Sequence, residues 1–157
     1  MKRIYVLVLL FISSVLISNK LSAQLLVDNS LTAQQLAQLI SGQGVQILNP
    51  QVHCAATGYG KYNATNSNLN ITEGLLLTTG TINNAIGPNN VGNKTTYFGA
   101  QNTPSTYPLL NSYTGRTTWE YCEFEFDIVP QGDTIKFDFV FASEEYEEWV
   151  DSQYVIQ

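Results

Sequence analysis

Two stretches near the carboxyl end alternate strictly between apolar and polar residues. Cys122, Phe124, Phe126 and Ile128 share one parity of the first stretch, and Ile135, Phe137, Phe139 and Phe141 share one parity of the second. Period-two alternation marks strands with one buried face, so these eight residues predict two strands packed inward with their carboxylates outward. Pro130-Gln131-Gly132-Asp133 reads as the four-residue loop of an antiparallel hairpin. In that hairpin Val129 pairs with Thr134, Ile128 faces Ile135, Phe126 faces Phe137 and Phe124 faces Phe139. On the outer face Asp127 meets Lys136, while Glu125 meets Asp138 in a mildly unfavourable like-charge pair. A slip of one residue would bury the acids, which fixes the register.

Upstream the period changes. Leu36, Leu39 and Ile40 form a helical stripe. Thr32 is placed to cap it, Gln35 completes a capping box, and Leu31 with Leu36 has the spacing of a hydrophobic staple. Gly42 is expected to stop the helix, which is too short to stand alone and must dock on a sheet. The rest reads as strands and loops. Val45 to Leu48 is a short strand ended by Asn49-Pro50, and Gly58 to Tyr62 is an extended, glycine-spaced stretch. Gly74 to Gly80 is an apolar run expected to be a strand buried on both faces. Residues 81–115 are rich in Asn, Thr, Gly, Ser and Pro, which is loop composition at a length that implies a functional excursion or added strand. The pattern as a whole predicts a mainly β fold. That fold is an antiparallel β-sandwich, with jelly-roll connectivity one form of it, and a short N-terminal capping helix.

The first residues stand outside this pattern. Lys2 and Arg3 precede an apolar run from Ile4 to Ile17, and Leu21-Ser22-Ala23 offers a cleavage point before Gln24. This is the layout of a secretory signal peptide over residues 1–23. The run is shorter than the roughly 20 residues of a membrane span, so no span is expected after cleavage. The remaining residues, 24–157, make one domain. Removing Lys2, Arg3 and Lys20 leaves four basic residues against thirteen acidic ones, a net charge of −9. Such a chain repels phosphate backbones, which excludes nucleic acid as a partner and suits cations, extracellular proteins or neutral glycans.

Export also bears on Cys54 and Cys122, the two cysteines of the chain. An oxidising compartment favours their pairing, and the bridge would contribute about 4 kcal/mol through loop closure. Two buried free thiols are the alternative. Eleven of the thirteen carboxylates lie between Glu120 and Asp151. Most belong on a solvated face, but Glu144, Glu145 and Asp151 make the best candidate metal site, with the oxygen donors that calcium takes. An acid/base pair for polysaccharide cleavage is the alternative use of this patch, although neighbouring Glu144 and Glu145 on a strand point to opposite faces. His53 stands alone in the sequence and reads as structural. Gly58-x-Gly60 lacks the rest of a dinucleotide motif. No nucleophile elbow is present. No catalytic residue and no organic cofactor is therefore expected.

The segment Phe137-Asp-Phe-Val-Phe-Ala-Ser-Glu-Glu-Tyr146 resembles the choice-of-anchor L domain family of exported bacterial surface proteins. Further segments agree in order: Thr32 to Ile40 with Gly42 and Gly44, Glu73 to Gly80, Ala85 to Asn90, and Phe124 to Asp133. The resemblance implies a secreted or cell-surface module for adhesion or interaction, with no enzymatic activity. In the family the acidic motif leads into a further strand of the type N-D-V-F-G-F-F. Here Ser152-Gln153-Tyr154 is followed by Val155-Ile156-Gln157. On this resemblance the chain reads as truncated at its C-terminus and its domain as incomplete. A remnant of a larger surface protein is a third expectation, and an unpartnered Phe137–Phe141 strand would then be an aggregation liability.

Overall fold

A computed structural model of the chain describes residues 24–87 and 106–143. The elements run in order β1 (Leu26–Asp28), α1 (Ala33–Ile40), β2 (Val45–His53), β3 (Tyr59–Asn63), β4 (Glu73–Leu77), a 3₁₀ turn (Ile82–Ile86), α2 (Pro108–Thr114) and β5 (Glu123–Pro130). The strands form two antiparallel sheets, one ordered β1-β3-β4 and the other β2-β5, and neither closes into a barrel. This is the mainly β, antiparallel architecture that the alternation predicts.

The first helix forms for the predicted reasons. The Gln35 backbone amide donates to Thr32 Oγ1 at 3.3 Å, and the Thr32 amide donates to Gln35 Oε1 at 2.8 Å. This reciprocal box satisfies two amides that a helix start leaves open. Leu36 is fully buried and Ala37 nearly so, and α1 packs on both β2 and β4, bridging the two sheets. The stop differs from expectation. Ser41, in an extended conformation, closes the helix by donating its amide to the Ala37 carbonyl, and the left-handed glycine is Gly44 rather than Gly42.

β3 is the central strand of its sheet. A Cβ at Gly60 would collide with the Asp28 carbonyl oxygen and approach Ile82 Cδ1 to 2.9 Å, so only glycine lets β1 and the 3₁₀ turn close on this strand. Ile82 and Ala64 are buried beside it. β4 is an edge strand, half-buried at its centre and exposed at Glu73 and Leu77, so the apolar run of Gly74 to Gly80 is not enclosed on both faces. An apolar run alone does not distinguish a central strand from an edge strip that packs on a helix.

β2 also departs from expectation. Asn49-Pro50 does not end it. The strand continues to His53 through a register shift between Leu48 and Gln51. Asn49 takes φ 50°, a left-handed conformation that asparagine tolerates, and donates through Nδ2 to Asp127 Oδ2 at 2.6 Å. Proline is accommodated at such a bulge because the ladder is already interrupted there.

The largest correction concerns the carboxyl-terminal hairpin. β5 keeps the predicted facing, with Phe124, Phe126 and Ile128 half-buried and Glu125 and Asp127 exposed. Its partner, however, is β2. Ile128 pairs with Ile47 and Phe124 with Val52, in place of Ile135 and Phe139. Residues 131–143 form no strand, and Ile135, Phe137, Phe139 and Phe141 are exposed, Phe139 to 83%. The expected Glu125–Asp138 and Asp127–Lys136 pairs are replaced by Lys136–Asp138 at 3.0 Å and by the Asn49–Asp127 bond. Alternation fixes which face of a strand is apolar. It does not choose the strand alongside, and a disulfide at one end of β2–β5 with a Gln131 amide to Gly44 carbonyl bond at the other ties β5 to β2.

Candidate functional site

Two regions of the described structure concentrate unusual chemistry. The first is the extended segment after β5. Phe137, Asp138, Phe139 and Val140 line an open groove of about 690 Å³ whose opposite wall is Asn70, Ile71, Thr72 and Glu73, at the start of edge strand β4. Four large apolar side chains, Phe137, Phe139, Val140 and Phe141, are more than half exposed within five residues of chain. Isolated exposed apolar residues are ordinary, but a contiguous run is the mark of a surface that another molecule covers. The backbone here has no ladder partner among the described residues.

The second region lies at the other end of β5. Cys54 and Cys122 form a disulfide with Cα atoms 4.3 Å apart. A bridge across antiparallel strands sets the register around it, so His53 falls directly opposite Glu123 and Gln51 opposite Glu125. Because Glu123 and Glu125 are two residues apart on one strand, their side chains leave on the same face. The ligating atoms of His53, Glu123 and Glu125 all lie within 4.8 Å of one another; His53 and Glu123 are half-buried and Glu125 is exposed. His53 is thus not isolated, as its place in the sequence suggested.

A tyrosine completes this surroundings. Tyr107 bonds to the Glu123 carboxylate, which holds its phenol above the usual range; partial desolvation and the nearby charges of Glu123 and Glu125 act in the same direction. Its ring lies 5.0 Å from that of Tyr121. α2 positions it. The Tyr107 amide donates to Thr118 Oγ1 at 2.8 Å, and the Thr118 amide donates to Asn111 Oδ1 at 2.6 Å, which locks the helix start to the chain entering β5. Thr118 is buried.

Glu144, Glu145 and Asp151, the residues expected to bind calcium, lie outside the described residues, as does the signal segment 1–23. The Cys54–Cys122 bridge is present as expected, and neither cysteine is free. Among the described residues no helix is long and apolar enough to cross a membrane.

The described residues form a disulfide-stapled, mainly β domain with an exposed apolar run. The chain belongs to the choice-of-anchor L domain family, whose sequence model matches residues 23–155. That family consists of surface-associated proteins and is not a known family of enzymes. No curated protein and no solved structure matches the chain.

Proposed function

We propose that the protein is a secreted or cell-surface adhesion and interaction module, exported by residues 1–23 and engaging an extracellular protein by strand addition. The observation that carries this reading is the exposed run from Ile135 to Phe141, which has no ladder partner among the described residues and lies beside edge strand β4. An extended partner segment would supply hydrogen bonds to the backbone of the run, and its alternate apolar side chains would cover the phenylalanine rings. Calcium held by Glu144, Glu145 and Asp151 forms part of the proposal, because these hard oxygen donors directly follow the run and would order it from its far end.

A fluorescent peptide copying the alternating eight residues of β5 provides a test, by anisotropy on the mature chain in calcium and in EGTA. The expected result is saturable binding, tighter in calcium, that disappears in Phe137→Ser/Phe139→Ser while the melting temperature holds. Equal binding by that variant would sink the strand-addition reading. Equal affinity in calcium and EGTA would remove calcium from it. A concentration-dependent dimer lost in the same variant would show instead that a second copy covers the run.

A further inference from the structure

The His53–Glu123–Glu125 cluster lies outside both the apolar run and the segment from Glu144 to Asp151, and we propose that it binds a divalent transition-metal ion of the zinc class. The donor set decides the metal. One imidazole nitrogen with two carboxylates suits zinc, which takes nitrogen and oxygen ligands together, whereas calcium takes six to eight oxygens. The geometry is close to closure. In a tetrahedral site with bonds of about 2.1 Å, ligand atoms sit roughly 3.4 Å apart. Here they lie within 4.8 Å of one another, and Glu125, the exposed one of the three, has solvent room to swing inward.

Three features separate this cluster from a scatter of surface acids. Its residues sit on two paired strands whose register is set by the adjacent disulfide, so little backbone freedom is lost on binding. It includes the one histidine of the chain, placed directly across the ladder from a carboxylate. Finally, Tyr107, whose amide donates to buried Thr118 and whose ring lies 5.0 Å from that of Tyr121, is held where the Glu123 charge reaches its phenol, a place from which a tyrosine can orient a ligating carboxylate from the outer shell. Three protein ligands leave a coordination position open on the exposed side, for water or for a carboxylate from a partner.

The test uses zinc alone, added to the metal-stripped mature chain. Isothermal titration is expected to show one site of micromolar affinity or better, with a rise in melting temperature, since an ion bound only by the folded state stabilises it. His53→Gln and, separately, Glu125→Gln are expected to weaken binding at least tenfold while leaving the metal-free melting temperature unchanged. Cobalt substitution is expected to give visible absorption bands that His53→Gln abolishes, a readout that zinc held by the acidic segment would not produce. Unchanged zinc affinity in His53→Gln, or no binding below millimolar zinc, overturns the proposal.

Discussion

At the scale of single residues, side chains that bond to nearby backbone decide much of the local geometry. Asp28 ends β1, and its Oδ1 accepts the Ser30 amide at 2.9 Å and the Ser30 hydroxyl at 2.6 Å. These bonds, led by the hydroxyl, hold the Asp28 carboxyl below its ordinary range; Lys61 adds a smaller favourable charge against a small desolvation cost. A depressed folded-state value means that the carboxylate contributes its stability fully above the unfolded value, near pH 4, and loses it as pH falls through the folded value. We therefore expect an NMR titration to place the Asp28 midpoint below that of a model peptide. Ser30→Ala should raise it part of the way, because the amide of residue 30 still donates to the carboxylate. A midpoint unchanged by that substitution would mean that the hydroxyl bond does not form in solution.

At the scale of elements, α1 was legible because its signals are covalently close. The cap, the box partner and the staple all lie within six residues, and the structure forms the box between Thr32 and Gln35 as the spacing predicts. Thr32→Ala is expected to cost about 1 kcal/mol in denaturant unfolding, with Thr32→Ser restoring most of it. A loss below a few tenths would show that sheet packing at Leu36, rather than the cap, holds the helix in place. The second helix was missed although it carries its own signals. Pro108 stands in its first turn, and Gly115, at φ 66°, closes it by donating its amide to Asn111. Loop-like composition around residues 81–115 masked that Pro-to-Gly frame. The cluster at His53 was hidden for a different reason. His53 lies some seventy positions from Glu123 and Glu125 in the chain, and the bridge brings them into register. Once Cys54 is joined to Cys122 on antiparallel strands, residue 53 must face residue 123, so the sequence held the site conditionally on the disulfide. Strand partnership was the least legible feature. β5 has an apolar face that suits β2 or residues 134–141 equally well, and the choice rests on long-range ties that alternation does not encode.

At the scale of the whole molecule, the described residues enclose a small hydrophobic core. Among the described residues the buried hydrophobic ones are Leu36, Ala37, Ala55, Ala64 and Ile82, and just two of these have large side chains. A domain of this size with so sparse an interior depends on a covalent staple. The bridge joins positions 68 residues apart, which contributes about 4 kcal/mol in the chain-entropy model. It also holds β2 against β5, the sheet whose half-buried phenylalanines complete the interior. Loss of the bridge should therefore act globally, not merely loosen one strand end. We expect Cys54→Ser/Cys122→Ser to lower the unfolding free energy by roughly 2–5 kcal/mol, with circular dichroism and tyrosine fluorescence falling in a single transition. If the variant instead kept its midpoint and only the β2–β5 amides exchanged faster, the sheet β1-β3-β4 with α1 would be stable by itself. The β2–β5 ribbon, with its metal-ligating end, would then be an appendage that such a core carries without needing it.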